Sequence, residues 1–332
     1  MTELLSLDQV EALALETLVR AGASERQAAS VARATRLAER DGIRSHGLMY
    51  IPVYAEHLRC GKVLGAAEPG VTCPRPGAVH VDAAHGFAHA AIDAGWPALD
   101  AAIRRQGIAA MAVRRSYNCG VLGHHAERLA VSGLVGLCFT NAPASMAPIG
   151  GTRPVIGTNP FALAVPDGSG GARLVIDQSA SAVAKSEIIL RARNGASIEP
   201  GWALDAAGRP TEDAQAALAG SMLPAGGQKG FGTGLMVEIM AAALSGGNLG
   251  IDASPFSGPE GGPPGTGQFL VGIDPAGFDA THFARSIDAL AQAICAQEGA
   301  RLPGARRAAN RAGIEAGGVR VDAALMDRIN AA

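Results

Sequence analysis

The sequence predicts an α+β protein in which helical chain ends flank a middle of strands and helices. Apolar residues recur at helical spacing through the first seventy residues and again beyond residue 278. Between these ends, short apolar runs bounded by glycine and proline alternate with helical stretches. Because helices occupy both termini, we expect residues 1–70 and 280–332 to pack as one helical domain and residues 71–279 to form an α+β domain.

The first helices are defined by their end signals. A run from Asp8 carries apolar residues near one face and stops at Gly22. Ser24 followed by Gln27 resembles a capping box, which begins a helix that extends to about Arg40. Pro52 precedes a third helix over residues 53–60.

The middle and the C-terminal part of the chain predict both kinds of element. The predicted strands are residues 77–86, 107–113, 134–141, 154–166, 173–177 and 269–274. The predicted helices are residues 91–106, 124–132, 232–244, 278–298 and 322–331.

Composition narrows the class of protein. The net charge of −2 and the lack of like-charge blocks give no reason to expect binding to nucleic acid or to an anionic membrane. No apolar run is long enough for a membrane helix, and residues 1–9 do not resemble a secretory signal. The five cysteines are scattered and form no CxxC pair, so we expect free thiols and a cytoplasmic protein.

Two segments invite a nucleotide interpretation, although neither is decisive alone. No GxGxxG motif follows a strand, which disfavours a Rossmann site. Residues 226–232 resemble a flexible cradle whose backbone amides and Lys229 suit a phosphate, and a plain loop with a solvated lysine is an equal alternative. Residues 118–122 lie between a strand and a helix, where they either contact a cofactor or form a simple turn.

Ser45, His46 and Gly47 follow the end of a predicted helix. Histidine exchanges protons near neutral pH, so His46 is a candidate acid or base, while a structural histidine near a helix end is the alternative. His124 and His125 are adjacent and point to different helix faces, so we expect no metal site there.

Four segments together resemble the malate/L-lactate dehydrogenase-like oxidoreductases of the second, non-Rossmann type. They are residues 41–47, 133–160, 224–247 and 301–304, and the likeness covers nearly the whole chain in order. The resemblance implies a non-Rossmann NAD(P)-binding domain with a mixed, largely antiparallel sheet. It also implies a homodimer or higher oligomer that reduces small 2-oxo acids or cyclic 2-imino acids with NADH or NADPH.

The resemblance also implies roles for individual residues. His46 is the expected proton donor with Ser45 beside it, and Thr158 is expected at the substrate carboxylate. The residues expected at the cofactor are Asn118, Cys119, Gly120, Val121, Leu122, Asp177, Gln178, Ser179, Lys229, Arg301, Arg306 and Arg307.

The chain departs from the family pattern at two positions. Tyr50 stands where many members carry an arginine whose fork binds a substrate carboxylate, so other donors, with Arg44 as a candidate, are needed. Glu187 stands where 2-hydroxy-acid dehydrogenases tend to have lysine, and the chain there resembles the cyclic-imine reductases. A carboxylate stabilises a protonated imine by about 4 kcal/mol at about 4 Å and an effective dielectric of about 20. A solvated surface acid is the alternative interpretation of Glu187.

These observations predict an NAD(P)H-dependent reductase of Δ1-piperideine-2-carboxylate or Δ1-pyrroline-2-carboxylate, with L-pipecolate or L-proline as the product. Ser45, His46 and Glu187 are the predicted catalytic residues, Tyr50 and Thr158 are predicted at the substrate, and no metal is expected. NADPH is the first choice of cofactor and NADH the second. One alternative is a 2-hydroxy-acid dehydrogenase acting on malate, lactate, ureidoglycolate or a sugar-derived keto acid, and another is a non-catalytic nucleotide-binding protein.

Overall fold

The computed structural model describes residues 2–332. The helices are α1 (Leu7–Arg20), α2 (Glu25–Arg40), α3 (Ile51–Arg59), α4 (Ala88–Gln106), α5 (Leu122–Val131), α6 (Lys185–Arg193), α7 (Ala214–Ala219), α8 (Gln228–Glu238), α9 (Ala280–Cys295), α10 (Ala305–Gly317) and α11 (Ala323–Ala331). The strands are β1 (Thr2–Leu5), β2 (Gly70–Arg75), β3 (Ala78–Asp82), β4 (Ile108–Ser116), β5 (Val135–Thr140), β6 (Phe161–Pro166), β7 (Ala172–Gln178), β8 (Ala203–Leu204), β9 (Pro210–Thr211), β10 (Ser221–Met222), β11 (Thr266–Ile273) and β12 (Val319–Asp322).

A seven-stranded sheet forms the centre of the molecule. Its strand order is β2-β3-β4-β11-β5-β6-β7. Strands β3 and β4 run parallel, while the other neighbours in the sheet pair antiparallel. Helices α4 and α5 bury their apolar faces against it, and Ile92, Met111, Leu129 and Leu134 are in the shared core. The predicted α+β class with a mixed, largely antiparallel sheet is confirmed.

The two chain ends pack together beside the sheet. Strand β1 pairs antiparallel with β12, and Leu18 of α1 shares an apolar cluster with Ile329 of α11. Helix α9 is placed differently, because its Asp288 forms an ion pair with Arg173 of β7 at 3.1 Å. The grouping of residues 1–70 with 280–332 as a domain therefore stays a prediction.

A third, small unit projects from the sheet and has its own core. Strands β10, β8 and β9 form a short antiparallel sheet, and α6 and α7 bury Ile188, Ala214 and Met222 beside it. No element of this unit was predicted from the sequence, because strands of two residues show no alternation of apolar and polar side chains.

Two predicted elements have other bounds in the structure. The expected strand over residues 154–166 is regular only in β6, because its first half is an irregular segment that forms a single bridge between Met146 and Ile156. The expected helix over residues 232–244 begins earlier with α8 and ends in a π-helical turn, Ile239–Ala243. Among residues 2–332, no helix has both the length and the apolar character needed to cross a membrane.

Candidate active site

Ser45 and His46 lie in a 3₁₀ turn, Arg44–His46, that follows α2. The Ser45 hydroxyl is 3.0 Å from Nδ1 of His46. Buried Glu39 holds the next turn, because its Oε1 accepts a hydrogen bond from the Leu48 amide at 2.8 Å. A Cβ atom on Gly47 would lie 2.1 Å from the same Oε1, so only glycine fits there. Glu39 of α2 thereby anchors the chain directly after the Ser45–His46 pair.

The exposed His46 ring has Asp177, His124 and Arg307 as charged neighbours, and the space that these four residues border is called the cleft below. The side chain is accessible to solvent, yet protein atoms surround it closely enough to lower its pKa below 6.5. Burial is the main cause of the lowered pKa, Asp177 opposes it, and His124 and Arg307 add to it. Among residues 2–332, only Nδ1 of the ring has a hydrogen-bond partner, so Nε2 is free to exchange a proton.

Asp177 and Arg307 are partners of each other beside this cleft. The Asp177 carboxylate, near the end of β7, accepts hydrogen bonds from Arg307 at 2.9 Å and from the Gly123 amide at 3.0 Å. It therefore occupies the positive N-terminus of α5. A Cβ on Gly123 would lie 2.7 Å from the carboxylate, which explains the glycine. The sequence predicted both residues at the cofactor and did not predict their ion pair.

A second ion-pair network lies behind His46, and the sequence did not predict it. The fully buried carboxylate of Asp41 accepts hydrogen bonds from Arg311 at 2.7 Å, from Arg40 at 2.9 Å and from His124 at 3.0 Å. Burial acts to raise the pKa of Asp41, but these hydrogen bonds outweigh it and hold the pKa well below its usual range. Arg311 also contacts Glu127 at 2.6 Å. The only sequence signal was the position of Asp41 directly before the Ser45–His46 segment.

The predicted cofactor loop, residues 118–122, is held rigidly. The Asn118 side-chain oxygen accepts hydrogen bonds from the Tyr54 hydroxyl at 2.9 Å and from the Gly120 amide at 3.1 Å. Gly120 has φ +67°, the left-handed region that favours glycine. Burial raises the pKa of the Cys119 thiol to about 12, which excludes it as a nucleophile at neutral pH. Val121 and Leu122 begin α5, as a turn between strand and helix requires.

The N-terminus of α8 offers a different environment from that of α5. Gly226 and Gly227 both have positive φ, at +64° and +67°, and no side chain among residues 2–332 caps the first turn. Lys229 lies exposed in that turn. Free backbone amides, the helix dipole and a cation are what a phosphate group requires. The residues at this position therefore fit a cofactor phosphate.

Thr158 lies beside the segment that follows Asp177, Gln178 and Ser179, three residues that the resemblance predicts at the cofactor. Its carbonyl accepts a hydrogen bond from the Ala180 amide at 2.9 Å. The next residue, Asn159, is buried with φ +42°, and its amide donates to Glu238 of α8 at 2.7 Å. This bond offsets the cost of the unusual backbone conformation. Ser179 bonds the Ser181 hydroxyl at 3.0 Å, and Gln178 is exposed.

The remaining predicted residues are not joined to the Ser45–His46 pair. Glu187 lies in the first turn of α6 and pairs with Arg191 at 3.0 Å. No hydrogen bond or ion pair connects it with His46 among the described residues. Arg301 and Arg306 are exposed and form no ion pair within residues 2–332. Tyr50 donates its hydroxyl proton to the Phe256 carbonyl at 3.3 Å. The roles of these residues stay predictions.

Comparison with known proteins identifies the family. The sequence matches the malate/L-lactate dehydrogenase family over residues 5–330. A (2R)-3-sulfolactate dehydrogenase (NADP(+)) of Chromohalobacter salexigens is 45% identical over 311 residues, covering 94% of this chain and 92% of that protein. A Δ1-pyrroline-2-carboxylate reductase of Ancylobacter novellus is 40% identical over 330 residues, covering 98% and 96%.

The fold agrees with this assignment. The crystal structure of Δ1-piperideine-2-carboxylate reductase from Pseudomonas syringae pv. tomato is similar with a TM-score of 0.92 and 35% identity, covering 99% of both chains. The family resemblance drawn from the sequence motifs is confirmed. The chain belongs to the malate/L-lactate dehydrogenase family and is an oxidoreductase.

Proposed function

We propose that the protein reduces a cyclic 2-imino acid with NADPH, converting Δ1-pyrroline-2-carboxylate to L-proline or Δ1-piperideine-2-carboxylate to L-pipecolate. The Ser45–His46 pair in its cleft carries the proposal, because it supplies the proton that reduction of a C=N bond needs. Relatives named as reductases of these imines match nearly the whole chain at 36–40% identity, which supports the same reaction. Such an activity belongs to proline metabolism and lysine degradation.

The protein's residues divide the work of this reaction. Bound NADPH would supply the hydride for the imine carbon. Ser45 fixes the His46 ring through Nδ1, and His46 delivers the proton to the imine nitrogen from Nε2. Asp177 favours the protonated ring that this step requires, against the opposing effect of burial. Thr158 is proposed at the substrate carboxylate.

The cofactor is proposed to lie between two positions on the chain. Lys229 and the open N-terminus of α8 would hold a phosphate, for the reason given above. Exposed Arg301 and Arg306 are candidates for the 2′-phosphate that distinguishes NADPH from NADH. The relative named with NADP(+) supports the same choice. Residues 118–122 and 177–179 are proposed at the nicotinamide end.

Glu187 favours an imine over a ketone. A ketone oxygen becomes negative as the hydride arrives, whereas a protonated imine starts positive, so an acid assists only the imine. Its present partner is Arg191, whose guanidinium lies 5.1 Å from the centre of the Trp202 ring. The catalytic role proposed for Glu187 therefore requires α6 to approach the cleft when substrate is bound.

Oxidation of a 2-hydroxy acid is the second candidate, because the 45%-identical relative is named as a sulfolactate dehydrogenase. A panel of both cyclic imines, pyruvate, oxaloacetate and 3-sulfopyruvate, each with NADPH and NADH, separates the two. The imines should be reduced with the highest kcat/KM. A higher value for any keto acid would overturn the proposal. His46→Ala should lower kcat at least 100-fold while the cofactor Kd, measured by fluorescence titration, stays within threefold.

We also infer a cytoplasmic homodimer. Exposed apolar side chains line α8, its π-helical turn and the loop that follows; they are Leu235, Met236, Ile239, Leu244 and Ile251. Several exposed apolar side chains on neighbouring segments suit contact with a second copy of the chain. The five free thiols suit a reducing compartment. Light scattering should give twice the chain mass for the wild type, and Ile239→Glu should shift it towards the monomer.

A further inference from the structure

Three side chains near α3 hold one glycine- and proline-rich segment, Ser254–Gly262, from about two hundred residues away. Lys62 donates to the carbonyls of Pro255 and Gly258 at 2.5 and 3.0 Å. The Tyr50 hydroxyl donates to the carbonyl of Phe256 at 3.3 Å. Three of the segment's carbonyls are thus bound by side chains.

The third side chain is His57, and it has one tautomer that fits both its contacts. Its Nδ1 lies against the Tyr117 hydroxyl, and its Nε2 is 3.1 Å from the Gly258 carbonyl. A neutral ring with the proton on Nε2 accepts from Tyr117 and donates to Gly258. Burial lowers the pKa of His57, with the nearby Lys62 charge acting the same way, so the ring stays neutral at pH 7.

Lys62 is the most unusual member of this group because its side chain has no solvent exposure. Lysine is among the residues least often fully buried, and a buried ammonium is costly unless its protons are bound. Here the ammonium is bound by the segment's own backbone. The ammonium of Lys62 therefore fixes the position of the Ser254–Gly262 segment.

The segment completes an aromatic cluster in which Tyr54 and Tyr117 are buried, while Tyr50 and Phe256 are partly exposed. The Phe256 ring packs edge-on to Tyr117 at 5.2 Å, and Tyr50 packs edge-on to Tyr54 at 4.7 Å. Tyr54 in turn bonds Asn118 of the predicted cofactor loop. Burial raises the pKa of Tyr50 to about 12, so it keeps its proton, and that proton is already donated to Phe256. Tyr50 cannot replace the family's arginine as a carboxylate donor while this bond is made.

We propose that the Ser254–Gly262 segment is the specificity wall of the substrate pocket, positioned by Lys62. The wall carries one aromatic ring, Phe256, and its only charged side chain is the exposed acid Glu260, so it accepts the hydrocarbon ring of a cyclic imino acid and rejects a second anionic group. This inference rests on the proposed function for the place of Tyr50 beside the substrate. Lys62 acts through the segment and is a positioning residue.

Lys62→Met keeps the length of the side chain and removes its three donors. It should raise KM for the best substrate at least tenfold, with kcat within threefold and the cofactor Kd within twofold, because the wall contacts the substrate alone. Arg209→Met, which removes an exposed cation paired with Asp205 in the small unit, is the matched control and should change neither constant. A Lys62→Met enzyme with unchanged KM, or with cofactor affinity lost in parallel, would overturn the inference.

Two further variants keep the test decisive if Lys62→Met does not fold. Tyr50→Phe removes only the bond to Phe256, and should raise KM about threefold and speed proteolytic cleavage within residues 254–262. Phe256→Lys places a cation in the wall, and should raise the kcat/KM ratio of 3-sulfopyruvate over the imine at least tenfold. If both variants fold and neither the KM of Tyr50→Phe nor the kcat/KM ratio of Phe256→Lys changes, the proposal that this segment lines the substrate pocket is refuted.

The same measurements separate the wall from the proposed function. If the wild-type enzyme prefers pyruvate over the imines, the proposed function fails. The change in KM for pyruvate in Lys62→Met and Tyr50→Phe then still tests whether the Ser254–Gly262 segment lines the substrate pocket. If the imines are favoured and these variants leave KM unchanged, the proposed function stands and the wall fails.

Discussion

Acid destabilisation through His89 follows directly from its burial. The ring lies in the first turn of α4, is 4% exposed, and neither nitrogen has a hydrogen-bond partner among residues 2–332. Burial lowers its pKa to about 3, and neighbouring His125 acts in the same direction. The His89 ring is therefore protonated below about pH 6.5 in the unfolded chain, but only below about pH 3 in the folded protein.

The sign and size of the effect follow from this difference. Between pH 6.5 and 3 the unfolded chain binds more protons at His89 than the folded protein does. Above pH 6.5 this ring therefore leaves the free energy of unfolding unchanged, and below pH 6.5 it reduces the free energy of unfolding as the pH falls. At pH 5.0 the loss is about 2 kcal/mol for His89. His125, whose pKa burial lowers to about 4, adds a similar amount, so the pair removes about 4 kcal/mol from the stability of the fold.

His89→Leu isolates the effect because it removes the titrating ring without breaking a hydrogen bond. Urea unfolding at pH 7.5 and 5.0 gives the free energy of unfolding for each protein. The variant should lose about 2 kcal/mol less than the wild type between the two pH values. His282→Gln, at an exposed histidine of α9, is the control and should behave as the wild type. An equal loss of unfolding free energy in the wild type and in His89→Leu would show that the His89 ring does not cause the acid destabilisation.

Three further outcomes test other parts of the structure. Gly120→Ala should cost at least 1 kcal/mol in urea unfolding, since it places a side chain at φ +67° and 2.9 Å from the His89 ring; a neutral result would contradict the backbone conformation. Asp41→Asn removes the buried charge that Arg311 and Arg40 share, leaves Arg311 paired only with Glu127, and should cost about 3 kcal/mol, with a loss below 1 kcal/mol counting against the network. Glu187→Lys should raise kcat/KM for pyruvate relative to the imine at least tenfold, and an unchanged ratio would assign Glu187 a surface role.

The sequence predicted the regular, periodic elements well because their signals are local. Helix α2 begins at its predicted Ser24 cap, whose side chain accepts a hydrogen bond from the Gln27 amide. The reciprocal half of the expected capping box is absent among the described residues, since the Gln27 side chain instead bonds the Ala67 carbonyl and the Phe87 amide. The complete box occurs at Ser6, before α1. Local spacing identifies a cap, but a distant partner can take one of its groups.

The ion pairs of the site could not be predicted from the sequence. Arg307 and Arg311 are one helical turn apart on α10, a helix with no buried residue. Their partners, Asp177 and Asp41, lie on β7 and at the end of α2, so three distant segments meet at one cleft. No spacing rule links residues 130 and 270 positions apart.

Helix α10 therefore acts on the cleft through two guanidinium groups. Arg311 neutralises the buried carboxylate behind His46, while Arg307 offsets the carboxylate that favours protonation of His46. The charge of Asp177 reaches His46 most strongly when Arg307 is engaged elsewhere, and a phosphate group is a strong competitor for an arginine. The family's expectation that Arg307 binds cofactor phosphate and the observed Arg307–Asp177 pair are consistent for this reason. If Arg307 binds the cofactor phosphate as the resemblance predicts, its release from Asp177 would favour the protonated state of His46.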